Sequence, residues 1–253
     1  MSIVHRELAA GIIQLSSDTF PLSTEPGSAS RNAYLIIGSN SAILFDLALE
    51  ETGLYEYAAE LAQLPLQLVL SHAHVDHIYH LSVQKDVWLH PGDEKLLRRG
   101  CLFQKPVKPC PHLHFLHTGD QLDLGNRKLT VIHIPGHTDG SILLWDDQTG
   151  ILFSGDTIAR RLLYGLHSFV PFDRFCASLQ NLQTLPIRQI YSSHDRCPML
   201  PAHINFMIRN MSPEALTHAK RIKIPFVGQY LHYSIGKETD PQYFDLAVWM
   251  PGR

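Results

Sequence analysis

The chain has 253 residues, 45% of them apolar and 18% charged, with 21 Lys plus Arg against 24 Asp plus Glu, a net charge of −3. That length suits one large domain or two small ones, and the apolar share buries a core without disulfides, so a disordered chain is excluded. The slightly acidic balance disfavours a nucleic-acid surface and no run of 18 apolar residues offers a membrane span, so the expected partner is a small molecule, with no nucleic acid and no membrane.

In chain order, the first fifteen residues carry Glu7 and no sustained apolar stretch, which does not read as a signal peptide. Short strands are predicted at 34–37 and 42–45, around the Gly38-Ser39-Asn40 turn. An amphipathic helix follows over 51–64, ended by Pro65, and then a buried strand over 66–70. Residues 72–81 begin as a polar loop and turn into a helix. A strand is predicted at 87–90 and a helix at 91–99, opening on Pro91. The stretch 100–111, with Cys101, Cys110 and several prolines, reads as a surface loop. Strands at 112–116, 128–134, 141–145 and 151–153 come next, then a helix at 172–185 and a strand at 187–191. A helix with a break near Ser212-Pro213 fills 202–220, and two strands, 226–234 and 243–249, end the chain. Four scattered cysteines with no Cys-x-x-Cys pair argue for a reduced, cytoplasmic protein. The element order fits an α/β fold of layered αββα type, with about 200–253 as a C-terminal helix-plus-strand appendage to a single domain spanning 1–253.

Sixteen histidines stand out without a polyhistidine run. Three of them and a carboxylate fall in Ser71-His72-Ala73-His74-Val75-Asp76-His77, directly after the buried strand. A loop curling there can aim His72 and His74 at one point and Asp76 and His77 at a neighbouring one, which argues for two metals. Three further candidates follow predicted strands: His137 in Gly136-His137-Thr138, Asp156 in Gly155-Asp156-Thr157, and His194 in Ser193-His194-Asp195. A second His-x-His run, His112 and His114 with His117 beyond, has no Asp-His after it and reads as a polar strand face.

His-x-His-x-Asp-His, then Gly-His-Thr, then Gly-Asp-Thr, then a late histidine, in that order, resembles the metallo-β-lactamase superfamily over roughly residues 32–195. The resemblance implies a four-layer αββα sandwich. It also implies two divalent ions per chain, with zinc expected and iron or manganese open. His72, His74 and His137 would hold one ion, Asp76, His77 and His194 the other, and Asp156 would bridge. Asp46 would support the ligand loop through hydrogen bonds. The implied chemistry is hydrolysis of a small ester, thioester or lactone by a metal-bridging hydroxide, with Asp76 orienting the nucleophile. Glyoxalase-II-like and lactonase-like members are closest in motif. The chain departs from glyoxalase II at Ile158-Ala159-Arg160-Arg161, at Lys220 to Lys223, and in having Ser193-His194-Asp195 where Gly-His-Gly is common. The alternative reading is a mononuclear iron persulfide dioxygenase of the same fold, using His72, His137 and Asp156. Substrate contacts are expected from Arg160, Arg161, Tyr164 and His167, which follow a ligand in sequence, with Tyr230, His232 and Tyr233 of the tail folding over the opening.

Overall fold

The computed structural model describes residues 2–17, 30–101, 104–168, 170–224 and 228–250. Its strands and helices, in chain order, are β1 (Ile3–Ala9), β2 (Ile12–Ser17), β3 (Asn32–Ile37), β4 (Ala42–Phe45), α1 (Leu54–Ala62), β5 (Leu66–Val69), β6 (Asp86–Leu89) and α2 (Glu94–Arg99). Then come β7 (His112–Phe115), β8 (Gln121–Asp123), β9 (Lys128–His133), β10 (Ile142–Asp146), β11 (Ile151–Gly155), β12 (Arg161–Tyr164) and α3 (Phe172–Asn181). The chain closes with β13 (Gln189–Ser192), α4 (Ala202–Asn210), α5 (Pro213–Leu216), β14 (Lys220–Ile224), β15 (Gly228–Ile235) and β16 (Phe244–Met250).

The strands form a seven-stranded sheet in the order β1 to β7, a five-stranded sheet β13-β11-β10-β9-β8, and a four-stranded sheet β12-β16-β15-β14. The two larger sheets face each other through Ile36, Phe45 and Val69 on one side and Val131, Leu144 and Phe153 on the other. On the outside of the first sheet, Leu54, Ala58, Leu96 and Leu97 of α1 and α2 pack on Leu35, Leu44 and Leu68. On the outside of the second, Phe175, Leu179, Ile204 and Met207 of α3 and α4 pack on Leu143, Leu152 and Ile190. Strands such as β3, β4 and β11 are buried almost throughout because both faces are covered. This is a four-layer αββα sandwich.

The sequence reading places most of the middle of the chain within a residue or two of the observed elements. It assigns nothing to the first hairpin, β1 with β2. The helix expected within 72–81 is absent: His74 stays extended, a 3₁₀ turn forms at Val75–His77, closed by the His77 N–H on the His74 carbonyl at 3.0 Å, and a second begins only at Leu81. A continued α-helix would have fanned His72, His74 and His77 around its axis. The helix expected over 202–220 splits at the anticipated break, where Ser212 Oγ accepts from Ala215 N at 3.2 Å and caps α5. Its last residue is already in β14. Strand β12 is not anticipated, since its four residues take their register from β16, about eighty positions downstream. Residues 226–227 of the expected 226–234 strand, and 102–103 of the expected loop, lie outside the described residues.

Strand directions separate the two ends of the sandwich. The ends of β4, β5, β11 and β13 point to one edge. At the opposite edge, buried Arg127 donates through Nη2 to the Ala10 carbonyl at 2.7 Å and through Nη1 to the carbonyls of Gly11 at 3.3 Å and Ile37 at 3.5 Å. Its Nε lies 3.4 Å from Asp146 Oδ2, so this one side chain spans both sheets.

Candidate active site

Five strand ends supply the site. Asp46 follows β4, Ser71 to His77 follow β5, His137 follows β9, Asp156 follows β11, and His194 follows β13. Loops that leave parallel or neighbouring strands at one edge converge without needing long excursions. Gly155 makes one approach possible: at φ +52 it has no side chain, and a Cβ there would lie 2.5 Å from Ser71 Oγ. The Asp156 turn can therefore press against the His72 loop.

The three nitrogens His72 Nε2, His74 Nδ1 and His137 Nε2 lie 2.7 to 3.1 Å apart. Their protons are dictated from behind. His137 Nδ1 faces the Leu163 carbonyl at 2.6 Å, which only accepts, so this nitrogen carries the hydrogen and Nε2 presents a lone pair. Ser71 Oγ donates to Asp46 Oδ2 at 2.7 Å and so accepts from His72 Nδ1 at 2.9 Å, leaving a lone pair on His72 Nε2. Two buried lone pairs thus face each other at 3.1 Å, an arrangement that repels unless a cation lies between them.

The second group is acidic. Asp156 Oδ1 is 3.4 Å from His77 Nε2, and Asp156 Oδ2 is 3.2 Å from His194 Nε2 and 3.5 Å from His137 Nε2. Asp76 Oδ2 is also 3.2 Å from His194 Nε2. Here too the outer nitrogens are tied: His77 Nδ1 donates to Asp46 Oδ2 at 2.9 Å, and His194 Nδ1 to the Ser30 carbonyl at 3.0 Å. His77 Nε2 and Asp156 Oδ1 are buried and make no hydrogen bond. Buried polar atoms left without a hydrogen bond in a group of this composition fit a cation-binding site. Among the described residues His72-His74-His137, His72-His77-Asp156 and Asp76-His77-His194 each bring their ligand atoms within 4.8 Å of one another.

Electrostatics divides the cluster. Burial pushes His72 and His74 well below the ordinary histidine range, and neighbouring imidazoles add to it; burial lowers His137 as well, against the pull of Asp156. Burial opposes charge on His77 too, but Asp156, Asp46 and Asp76 outweigh it and raise it to about 10. His194 rises well above the usual range against the same burial, because of Asp156 and Asp76. Burial would raise both carboxyls; His77 and His194 overcome it at Asp76, and His194 and His77 at Asp156, so both stay ionised.

The other residues expected from the sequence divide cleanly. Asp46 is fully buried and accepts from Ser71 N at 2.6 Å, Ser71 Oγ, His77 Nδ1 and Ser193 Oγ. His167 Nδ1 sits 2.7 Å from His74 Nε2. Arg161 lines the cavity of 410 Å³ into which His74, Asp76, His137, Asp156 and His194 open. Arg160 is not brought there: its guanidinium is buried against Asp195 Oδ1 at 3.1 Å and the Cys197 carbonyl at 3.3 Å. Tyr164 is also turned away, its ring packed on Phe172 and Phe175 and its hydroxyl donating to the Val170 carbonyl. Tyr230 and His232 line a neighbouring groove, whereas the Tyr233 hydroxyl reaches Asn210. His112 and His114 lie on the outer strand β7 and pair with Asp86 at 3.3 and 2.8 Å.

Sequence reasoning missed Asp93. Its carboxylate accepts from Ala73 N, Thr138 Oγ1 and Gly140 N, each at 2.8 Å, so it ties the His72-His74 loop to the His137 loop. Burial raises its pKa to about 6 despite those donors. Gln104 adds a second tie, Nε2 to the Ala73 carbonyl at 2.8 Å. Nothing in Pro91-Gly92-Asp93-Glu94 separates this role from ordinary helix initiation.

Residues 27–194 match the family described as the metallo-beta-lactamase superfamily. The acyl-coenzyme A thioesterase MBLAC2 of Gallus gallus is 27% identical over 235 residues, covering 79% of this chain and 80% of its own length. The hydroxyacylglutathione hydrolase of Aeromonas hydrophila is 31% identical over 179 residues, 70% of this chain and 65% of its own. Among solved structures, a metallo-beta-lactamase family protein from Thermus thermophilus superposes with a TM-score of 0.61 at 22% identity, over 81% of this chain and 80% of that one. A protein solved in a di-iron-bound form gives 0.56 at 26% identity, over 72% of this chain and 96% of that one. Matched over about two thirds of its length, this chain is a member of the metallo-beta-lactamase superfamily.

Proposed function

We propose that the protein is a dinuclear metal-dependent hydrolase that cleaves thioesters of small molecules. The observation that carries the metal requirement is the pair of buried lone pairs on His72 Nε2 and His137 Nε2, 3.1 Å apart. The thioester preference is supported by the two relatives named as an acyl-coenzyme A thioesterase and a hydroxyacylglutathione hydrolase. His72, His74 and His137 would hold one divalent ion, Asp76, His77 and His194 a second, and Asp156 both. Nitrogen and oxygen donors without thiolate suit zinc, and admit iron or manganese. The tail from about 200 onward is part of the same domain in this reading, supported by the pairing of β16 with β12.

When bound, such ions bring the pKa of a water towards about 7 and polarise a carbonyl oxygen. The chain's own residues do the rest. Asp76 stays ionised and reaches the cavity, where its carboxylate can orient the attacking water and take its proton. The Leu163 carbonyl and Asp46 fix the rings of His137 and His77, so the ligand cage forms without reorganisation. Water oxygen bonds to the acyl carbon, the carbon–sulfur bond breaks, and the products are a carboxylate and a thiol. A thiol of pKa about 8.5 leaves readily near neutrality, so a strong acid partner is not needed. None of the named relatives favours the persulfide dioxygenase alternative.

The test is metal analysis of protein expressed with zinc, iron or manganese, joined to a thioester, lactone and phosphodiester panel. About two ions per chain and metal-dependent thioester cleavage are expected. Less than one ion per chain, or thioesters left intact by the loaded protein, overturns the reading.

A further inference from the structure

The four-stranded sheet has two unlike faces. Along β12 and β16, Leu162, Tyr164, Phe244 and Leu246 turn inward to the α3-α4 core. The alternate positions turn outward, and a sheet face open to solvent is normally polar there. Instead Leu163, Ala247 and Trp249 stand on it, joined by Tyr230 of β15, Ile224 of β14 and Leu166. Together they line a groove of 570 Å³. Ile224 is left 38% exposed. Trp249 packs over Gly228: a Cβ there would come 2.7 Å from its Cζ2, so a larger residue would displace the indole.

This groove is continuous with the metal-ligand cavity. Arg161, Leu163, Asp245 and Ala247 line both. The contact is closer still at Leu163, whose carbonyl fixes His137 at 2.6 Å while its side chain lines the groove. Charges at the junction are already spoken for. Arg161 lies 3.3 Å from Glu238, and Asp245 accepts from His232 at 3.0 Å and Tyr243 at 2.9 Å. Past the junction, the groove crosses up to three strand spacings, roughly 14 Å.

We propose that this groove binds the acyl chain of the substrate and that the enzyme selects thioesters of extended, uncharged, apolar acyl groups. The proposal rests on the thioesterase reading above and adds to it which half of the substrate lies where. An apolar chain leaving the carbonyl carbon fits Leu163, Ala247 and Trp249. With the acyl chain in the groove, the thiol half leaves the cavity on the side away from it.

The test uses the metal-loaded protein and alkyl thioethers of N-acetylcysteamine, which cannot be hydrolysed, titrated by calorimetry from butyl to dodecyl. Affinity is expected to rise about two- to fourfold per added methylene until the groove is filled. Ala247→Phe, which narrows the passage between cavity and groove, should cut the dodecyl-to-butyl affinity ratio at least tenfold. Trp249→Ala, on the outward face, should lower the same ratio and covers the case in which A247F does not fold. The kcat/KM ratio of dodecanoyl to butanoyl thioesters should follow. Affinity independent of chain length, or a ratio unchanged in both variants, overturns the groove assignment. Length-dependent binding without hydrolysis of any thioester keeps the groove and removes the thioesterase reading. Hydrolysis indifferent to chain length does the reverse.

Discussion

The two halves of the histidine–aspartate cluster use the same side chain to opposite ends. His72, His74 and His137 face mainly other imidazoles, and burial holds their pKa values below the ordinary range. His77 is as enclosed, and His194 is also largely covered, yet Asp46, Asp76 and Asp156 hold protons on them. Burial alone therefore does not set a histidine's charge; the carboxylates within reach decide it. One half is prepared as neutral donors, and the other must exchange protons for a cation.

The largest effect is expected of Asp156→Ala, which removes a carboxylate that reaches both halves. Bound metal should fall from about two ions per chain to one or fewer and kcat by about a hundredfold or more, read by elemental analysis and steady-state kinetics. An unchanged metal count would mean that the halves do not share a ligand. Next in size is Asp46→Ala, which strands Ser71 N–H and His77 Nδ1–H in the interior. Metal affinity should weaken about 10- to 100-fold in a chelator competition, and the thermal midpoint should drop.

A third expectation concerns pH in chelated protein. His77 has its pKa raised to about 10, so its protonated form adds stability that is fully present below about 6.5 and is lost as pH rises through about 10. Denaturant midpoints of chelated protein should fall from pH 7 to 10, while those of loaded protein should hold. Loading at pH 8 should also release protons, seen by calorimetry in buffers of different ionisation enthalpy. The smallest effect belongs to His167→Ala. It takes away the partner of His74 Nε2, a half-exposed ring that water can replace, so affinity should fall only about tenfold or less.

How much of this is legible in the sequence varies with the physics of each element. The His72 to His77 run, His137, Asp156 and His194 carry their chemistry in local sequence, and each follows a strand, so their gathering can be read from order alone. Asp46 is legible only through the family resemblance. Asp93 is not, because its three donors, Ala73, Thr138 and Gly140, all lie far from it in sequence. Arg160 and Tyr164 look like substrate contacts because they follow Asp156. Yet the alternation of β12 turns Tyr164 inward, and Asp195 takes Arg160 before the strand begins. The same alternation puts Arg161 and Leu163 on the cavity side, a distinction invisible without the register to Asp245 and Ala247. The helix expected in 72–81 fails for a related reason: the contacts of the His72, His74 and His77 rings with residues far along the chain override local propensity.

Arg127 gives the sandwich an asymmetric fastening. Four contacts from a single guanidinium clamp the edge of the two sheets farthest from the ligand cluster. At the near edge the ties run through Asp93 and Asp46, which join the loops carrying His72, His137 and His194, and bound ions are expected to add to them. Stripped of ions, the molecule should loosen like a book held at the spine, its pages parting at the ligand loops while amides around Gly11, Ile37 and Asp146 go on resisting exchange with deuterium.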